Sequence, residues 1–154
     1  MVKRLHPNYT ITFLDMAWSG RRERVFIWVN PNITEARQVV DLCTGQRGSS
    51  FFNTRLTRVW NKGMPGECVF GGNYDSGVNR MLPSDGYCDK GTVMFMSHTD
   101  KSGEFIINTS DKSKKFGIEI GYVGISGLKV LKEVAQLSDI TQVTVVDCGV
   151  RVAA

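Results

Sequence analysis

Residues Thr57–Gly72 read TRVWNKGMPGECVFGG. The β-branched and aromatic run TRVW is followed by NKGMPG, whose glycines and proline are turn formers, and then by a second apolar run closed by two glycines. The pattern predicts a strand, a loop and a second strand. It also carries Arg58, Glu67 and Cys68, three side chains capable of chemistry, so the hairpin is a working site, the remains of one, or a plain element of a sheet.

On either side the same strand signal recurs. Short β-branched and aromatic runs occupy Tyr9–Ala17, Arg24–Val29, Arg55–Trp60, Glu67–Phe70, Thr92–Ser97, Glu104–Asn108, Ile118–Val123 and Gln142–Asp147, eight in all. Two segments carry the helical period instead. In NITEARQVVDLCTG, Ala36, Val39, Val40 and Cys43 share one face, Asn32 and Glu35 are spaced as a capping box, and Gly45 ends the run. In SGLKVLKEVAQL, Val130, Leu131, Val134 and Leu137 share a face from which Lys129, Lys132 and Glu133 point away. The order is two strands, a helix, five strands, a helix and one strand. An antiparallel sheet must hide its edges, and closing eight strands into a barrel capped by two α-helices does so. The expected fold class is therefore mainly β, a closed eight-stranded antiparallel barrel, in one domain spanning residues 1–154 with its core at about 9–150.

Composition narrows the function. The chain has 154 residues, 42% hydrophobic, with a net charge of +4 that is scattered apart from Arg21, Arg22 and Arg24 and from Lys112, Lys114 and Lys115. Cys43, Cys68, Cys88 and Cys148 lack metal-ligand spacing, and only His6 and His98 could assist them, so neither a metal nor a cofactor is expected. No apolar run reaches the ~18 residues of a membrane span and the N-terminus lacks a signal-peptide core, so a cytoplasmic or nuclear location is expected, with no membrane contact.

Taken in order, several motifs resemble those of cyclophilins, the peptidyl-prolyl cis-trans isomerases. TFLDMAWSGRRERVFIWV resembles their opening hairpin, F-F-D-I-x-x-x-G-x-x-x-G-R-V, and DLCTGQRG resembles L-x-T-G-E-K-G. MPGECVFGGNY resembles P-G-F-M-C-Q-G-G-D-F; GEFIINT resembles S-Q-F-F-I-x-T; IGYV resembles F-G-x-V; VTVVDCG resembles I-x-I-x-D-C-G. The resemblance runs from Thr12 to Gly149 and implies the cyclophilin barrel.

It also implies a groove with altered contents. Family members hold a prolyl ring in an apolar pocket while an arginine hydrogen-bonds the prolyl amide and favours the twisted state, an electrostatic rather than covalent catalysis. Arg58 stands at the arginine position, with Thr57 in place of the family's histidine and about four extra residues, 61–64, before Pro65. Glu67 replaces a pocket phenylalanine, Phe70 a glutamine, Glu104 a second glutamine, Ile106 a phenylalanine and His98 an asparagine, while KSKKFG stands where the family's tryptophan segment would be. Arg58 is thus a retained catalyst, a peptide-binding cation or a surface arginine. Arg55 lies three residues away, and a slip of one residue would turn either to the opposite face. Glu67 and Glu104 are expected to neutralise Arg58 or to suit a basic peptide, and Met64 either contacts a partner or plugs the pocket. The reading is a catalytically inactive or nearly inactive protein-interaction domain, part of a larger protein or complex, taking a protein or peptide partner that can contain proline. The alternatives are a weak isomerase using Arg58 and a barrel that binds nucleic acid through its basic clusters.

Overall fold

The structure is a computed structural model describing residues 8–73 and 84–151; His6 lies outside this range. Its elements are β1 (Thr10–Trp18), β2 (Arg21–Val29), α1 (Thr34–Thr44), β3 (Leu56–Trp60), β4 (Cys68–Asn73), β5 (Ser84–Cys88), β6 (Thr92–Thr99), β7 (Ser102–Asn108), β8 (Ser113–Lys115), β9 (Ile118–Val123), α2 (Ile125–Val134) and β10 (Thr144–Val150). A single 3-10 turn, Ile140–Gln142, precedes β10.

Eight strands form one antiparallel sheet in the order β10-β1-β2-β9-β6-β7-β4-β3. The two end strands nearly meet. Arg55 bridges Thr144, the Leu56 amide donates to the Val143 carbonyl (3.1 Å) and the Val145 amide to the Thr54 carbonyl (2.8 Å), so the sheet curls into an almost closed barrel. Alternation on each strand sends Leu14, Met16, Val25, Ile27, Val69, Val93, Phe95, Phe105 and Ile107 inward. Both helices lay their buried faces into this same core, α1 through Ala36, Val39, Leu42 and Cys43, α2 through Gly127, Leu131 and Val134.

The strand and helix order of the barrel is the one expected. Three local expectations need correction. Asn32 and Glu35 form no capping box: the helix is entered through Ile33 without a side-chain cap, and Asn32 instead donates its amide to Asn30 Oδ1 (3.0 Å). Leu42 rather than Val40 completes the buried face of α1, because the helix packs with Ala36, Val39 and Cys43 centred on the core and Val40 at its margin. Gly45 does end the helix, in the left-handed conformation (φ 70°) with its amide bonded to the Asp41 carbonyl.

The third correction is an addition. β5 and β8 form a separate two-stranded ribbon, pairing Tyr87 with Lys114 and Cys88 with Ser113. A three-residue strand reading SKK carries no apolar alternation, so pattern alone does not reveal it.

Candidate peptide groove

β3, β4, β7 and β6 lie side by side, and one row across them reads Arg58, Phe70, Ile106, Met94. These residues face away from the barrel interior. Outward positions usually meet water, but here they do not: Cys68, Phe70, Met94, Met96 and Ile106 are buried, together with Cys88 from the ribbon and Phe116 just after it, in a second apolar cluster closed at one side by Trp60. The Phe116 ring stands edge-on to Phe70 (centroids 4.9 Å apart) and to Trp60 (5.3 Å). Its amide and the Cys88 thiol both approach the Met94 sulfur, at 3.4 and 4.0 Å. The sheet is therefore buried on both faces along these strands.

A bulge puts Arg58 on this face. Leu56 pairs with Gly71 and Arg58 with Phe70, so β3 carries one extra residue, Thr57, and the alternation is broken. Leu56 consequently points into the core and Arg58 outward, although the two are separated by the spacing that normally shares a face. The guanidinium carbon lies 3.9 Å from the centre of the Phe70 ring, a cation–π contact in a half-buried setting. Arg55, the competing arginine, is exposed at the barrel seam.

Glu67 does not neutralise Arg58. Its carboxylate accepts from the Gly63 amide (2.8 Å), the Thr109 hydroxyl (2.5 Å) and the Gln136 side-chain amide (2.7 Å), and no ion pair joins it to Arg58. The Glu67 carbonyl is the acceptor for the Thr109 amide and for the hydroxyls of Thr109 and Ser113. This buried network ties the inserted loop to the segment after β7 and to the end of α2. Nor do Glu67 and Glu104 act as a pair. Glu104 sits opposite Gly72, five positions along β4 from Glu67, or roughly 17 Å at the rise of a strand.

Glu104 instead faces His98, whose Nε2 lies 3.7 Å from Oε1, with both side chains almost wholly buried. His98 and Glu104 thus occupy one end of the outer face, Arg58 and Phe70 its middle, Glu67 the far end. Met64 is 61% exposed, so it is not the plug. Phe116 and Trp60 fill that place. Sequence reading missed Phe116; the signal available was one aromatic residue after three lysines in KSKKFG. Cys68 is buried beside Arg58, and burial pushes its thiol up to about 12.

The basic clusters are differently placed. Arg21 bonds Glu133 (2.9 Å), and Arg22 and Arg24 both bond Asp15 (2.8 and 2.7 Å), so these guanidinium groups already meet carboxylates. Lys114 lies over the exposed Tyr87 ring on the ribbon. No helix among the described residues is long and apolar enough to cross a membrane.

No protein-family model matches the chain, and no curated protein matches it. Solved structures do. The Mimivirus cyclophilin aligns over 97% of this chain and 92% of its own, with a TM-score of 0.68 and 14% identity. The Cryptosporidium parvum cyclophilin-type peptidyl-prolyl cis-trans isomerase, solved in the presence of the dipeptide Ala-Pro, aligns over 93% of this chain and 99% of its own, with a TM-score of 0.59 and 13% identity.

Proposed function

We propose, with the cyclophilin fold as the premise, that this chain is a protein-interaction domain whose proline-binding face has been filled from within. One observation carries the reading: Phe70, Ile106 and Met94, the outward row beside Arg58, have no accessible surface and are packed in one cluster with the protein's own Phe116 and Cys88. Isomerisation of an X-Pro bond faces a barrier of about 20 kcal/mol, and an arginine lowers it only for a prolyl group seated beside it. Seating that ring here requires displacing a packed aromatic side chain, at a cost of about 3–5 kcal/mol. At 1.36 kcal/mol per tenfold, this removes two or more orders of magnitude of rate.

The decisive measurement is exchange between cis and trans forms of an Ala-Pro peptide. No acceleration above the uncatalysed rate is expected, and acceleration that Arg58→Ala abolishes would overturn the proposal in favour of a weak isomerase. Cyclosporin-type macrocycles, which the resemblance places on the same pocket, should leave the melting temperature unchanged. The ion pairs of Arg21, Arg22 and Arg24 argue against a nucleic-acid role. A low-salt shift assay with single- and double-stranded probes is expected to show no complex.

A further inference from the structure

Helix α2 packs on the barrel through Gly127, Leu131 and Val134. At about 100° per residue the opposite side carries Ile125, Lys129 and Lys132, spaced i, i+4 and i+7, and Gln136 continues the row just past the helix end. The outward side of such a helix is normally polar throughout. This one begins with an isoleucine that is 91% exposed, the most exposed large hydrophobic side chain among the described residues.

A second apolar tip stands where the row ends. Gln136 donates to the Glu67 carboxylate (2.7 Å), which also holds the Gly63 amide (2.8 Å), and the Lys62 ammonium donates to the Leu137 carbonyl. The inserted loop is thereby fixed to the C-terminal end of α2, and from it projects Met64, 61% exposed. Ile125 and Met64 thus stand at opposite ends of a helix about 15 Å long, with Lys129 and Lys132 between them. Neither of these lysines has an ion pair or a hydrogen bond among the described residues. Glu133, on the flank of the row, is bonded to Arg21 (2.9 Å) and feels Lys129 only through space. Lys62 has a neutral acceptor, so its charge is also unopposed. Around the row four cations, Arg21, Lys62, Lys129 and Lys132, stand against two carboxylates, Glu133 and Asp139.

We infer that this surface docks on an anionic lipid bilayer, with Ile125 and Met64 entering the headgroup boundary and the lysines meeting the lipid charges. Binding of this kind grows with buried apolar area and with attraction to anionic lipid, and the row supplies both. A protein partner would have to offer two pockets at a fixed separation, whereas a bilayer accepts protruding tips wherever they fall. Both tips sit on backbone that is already held, one by the helix and one by the Glu67 clamp, so docking orders little that is loose. The lack of a spanning run excludes passage through a bilayer, and not contact with its surface. The inference goes beyond the groove reading and is independent of it.

The test is co-sedimentation of the full chain with phosphatidylcholine vesicles, with and without one third phosphatidylserine, across a salt series. Binding is expected on the anionic vesicles alone and should fall steeply with salt. Replacing Lys129 and Lys132 together by glutamine should weaken it about twentyfold, at about fivefold per lysine. Ile125→Ser should weaken it about tenfold and Met64→Ser severalfold, with unchanged melting temperatures because both side chains are exposed. In Ile125→Trp the added fluorescence should be quenched by brominated lipid. Absence of vesicle binding, equal binding to neutral vesicles, or indifference to Ile125→Ser would overturn the inference. Equally strong binding to soluble polyglutamate, lost with the lysines but not with Ile125→Ser, would also overturn it, assigning the row to an acidic partner protein. Prolyl isomerisation measured on the same samples keeps the two readings apart. Absent vesicle binding with background isomerisation sinks only the docking surface, and Arg58-dependent isomerisation sinks only the interaction-domain reading.

Discussion

Asp15 is a buried carboxylate held by two guanidinium groups, and its titration can be followed through stability. Arg24 above all, then Arg22, keep its carboxyl below the ordinary range against the opposing effect of burial. A carboxyl with a depressed folded pKa contributes stability above its unfolded value, about 3.9, and loses it as pH falls through the folded value. Asp15→Asn should therefore melt below the wild type at pH 7, and the gap should close progressively below pH 4; thermal melts between pH 2 and 7 check this, and a constant gap would contradict it. At this same scale sequence reading did least well. Arg58 was legible as a residue type in a motif, but its direction depends on the extra residue at Thr57, and a bulge leaves no mark in a period-two pattern. Glu67 read as a partner for Arg58, because nothing in its neighbourhood announces that Gln136, sixty-nine residues later, takes one of its oxygens.

Among elements, the inserted loop between β3 and β4 is held by Glu67 rather than by packing, since Met64 projects into solvent. Glu67→Gln replaces an acceptor by a donor facing the Gly63 amide or the Gln136 side-chain amide. It should cost about 1–3 kcal/mol in urea unfolding and speed hydrogen exchange at Gly63. If Gly63 exchange is unchanged, the clamp is not what orders the loop. The long elements were legible because hydrophobic periodicity survives over five to eleven residues; α1, α2 and the eight barrel strands all fall where that signal is sustained. The β5–β8 ribbon was not. Its pairing is held by short polar strands, and its contribution comes from Cys88 and Phe116 at its margins, so the element that covers the candidate groove is the one with the weakest signature.

Across the whole molecule the barrel order and its closure were readable from strand count and helix placement, while the residues that form the seam were not, because the seam consists of backbone contacts between residues 53–56 and 143–145. Val145 contributes both its amide, to Thr54, and its carbonyl, to the Asn53 amide. Val145→Pro deletes the first of these and should cost about 3 kcal/mol or more, seen as a lower urea midpoint with an unchanged slope; an unchanged midpoint would mean that the seam contributes little. That seam has a temporal meaning. β10 pairs with β1 and also carries the closing contacts, so during synthesis both β1 and the segment before β3 wait with uncovered edges until residues 144–150 have left the ribosome. Nascent chains stalled before residue 144 are therefore the form of this protein most exposed to chaperone capture and aggregation.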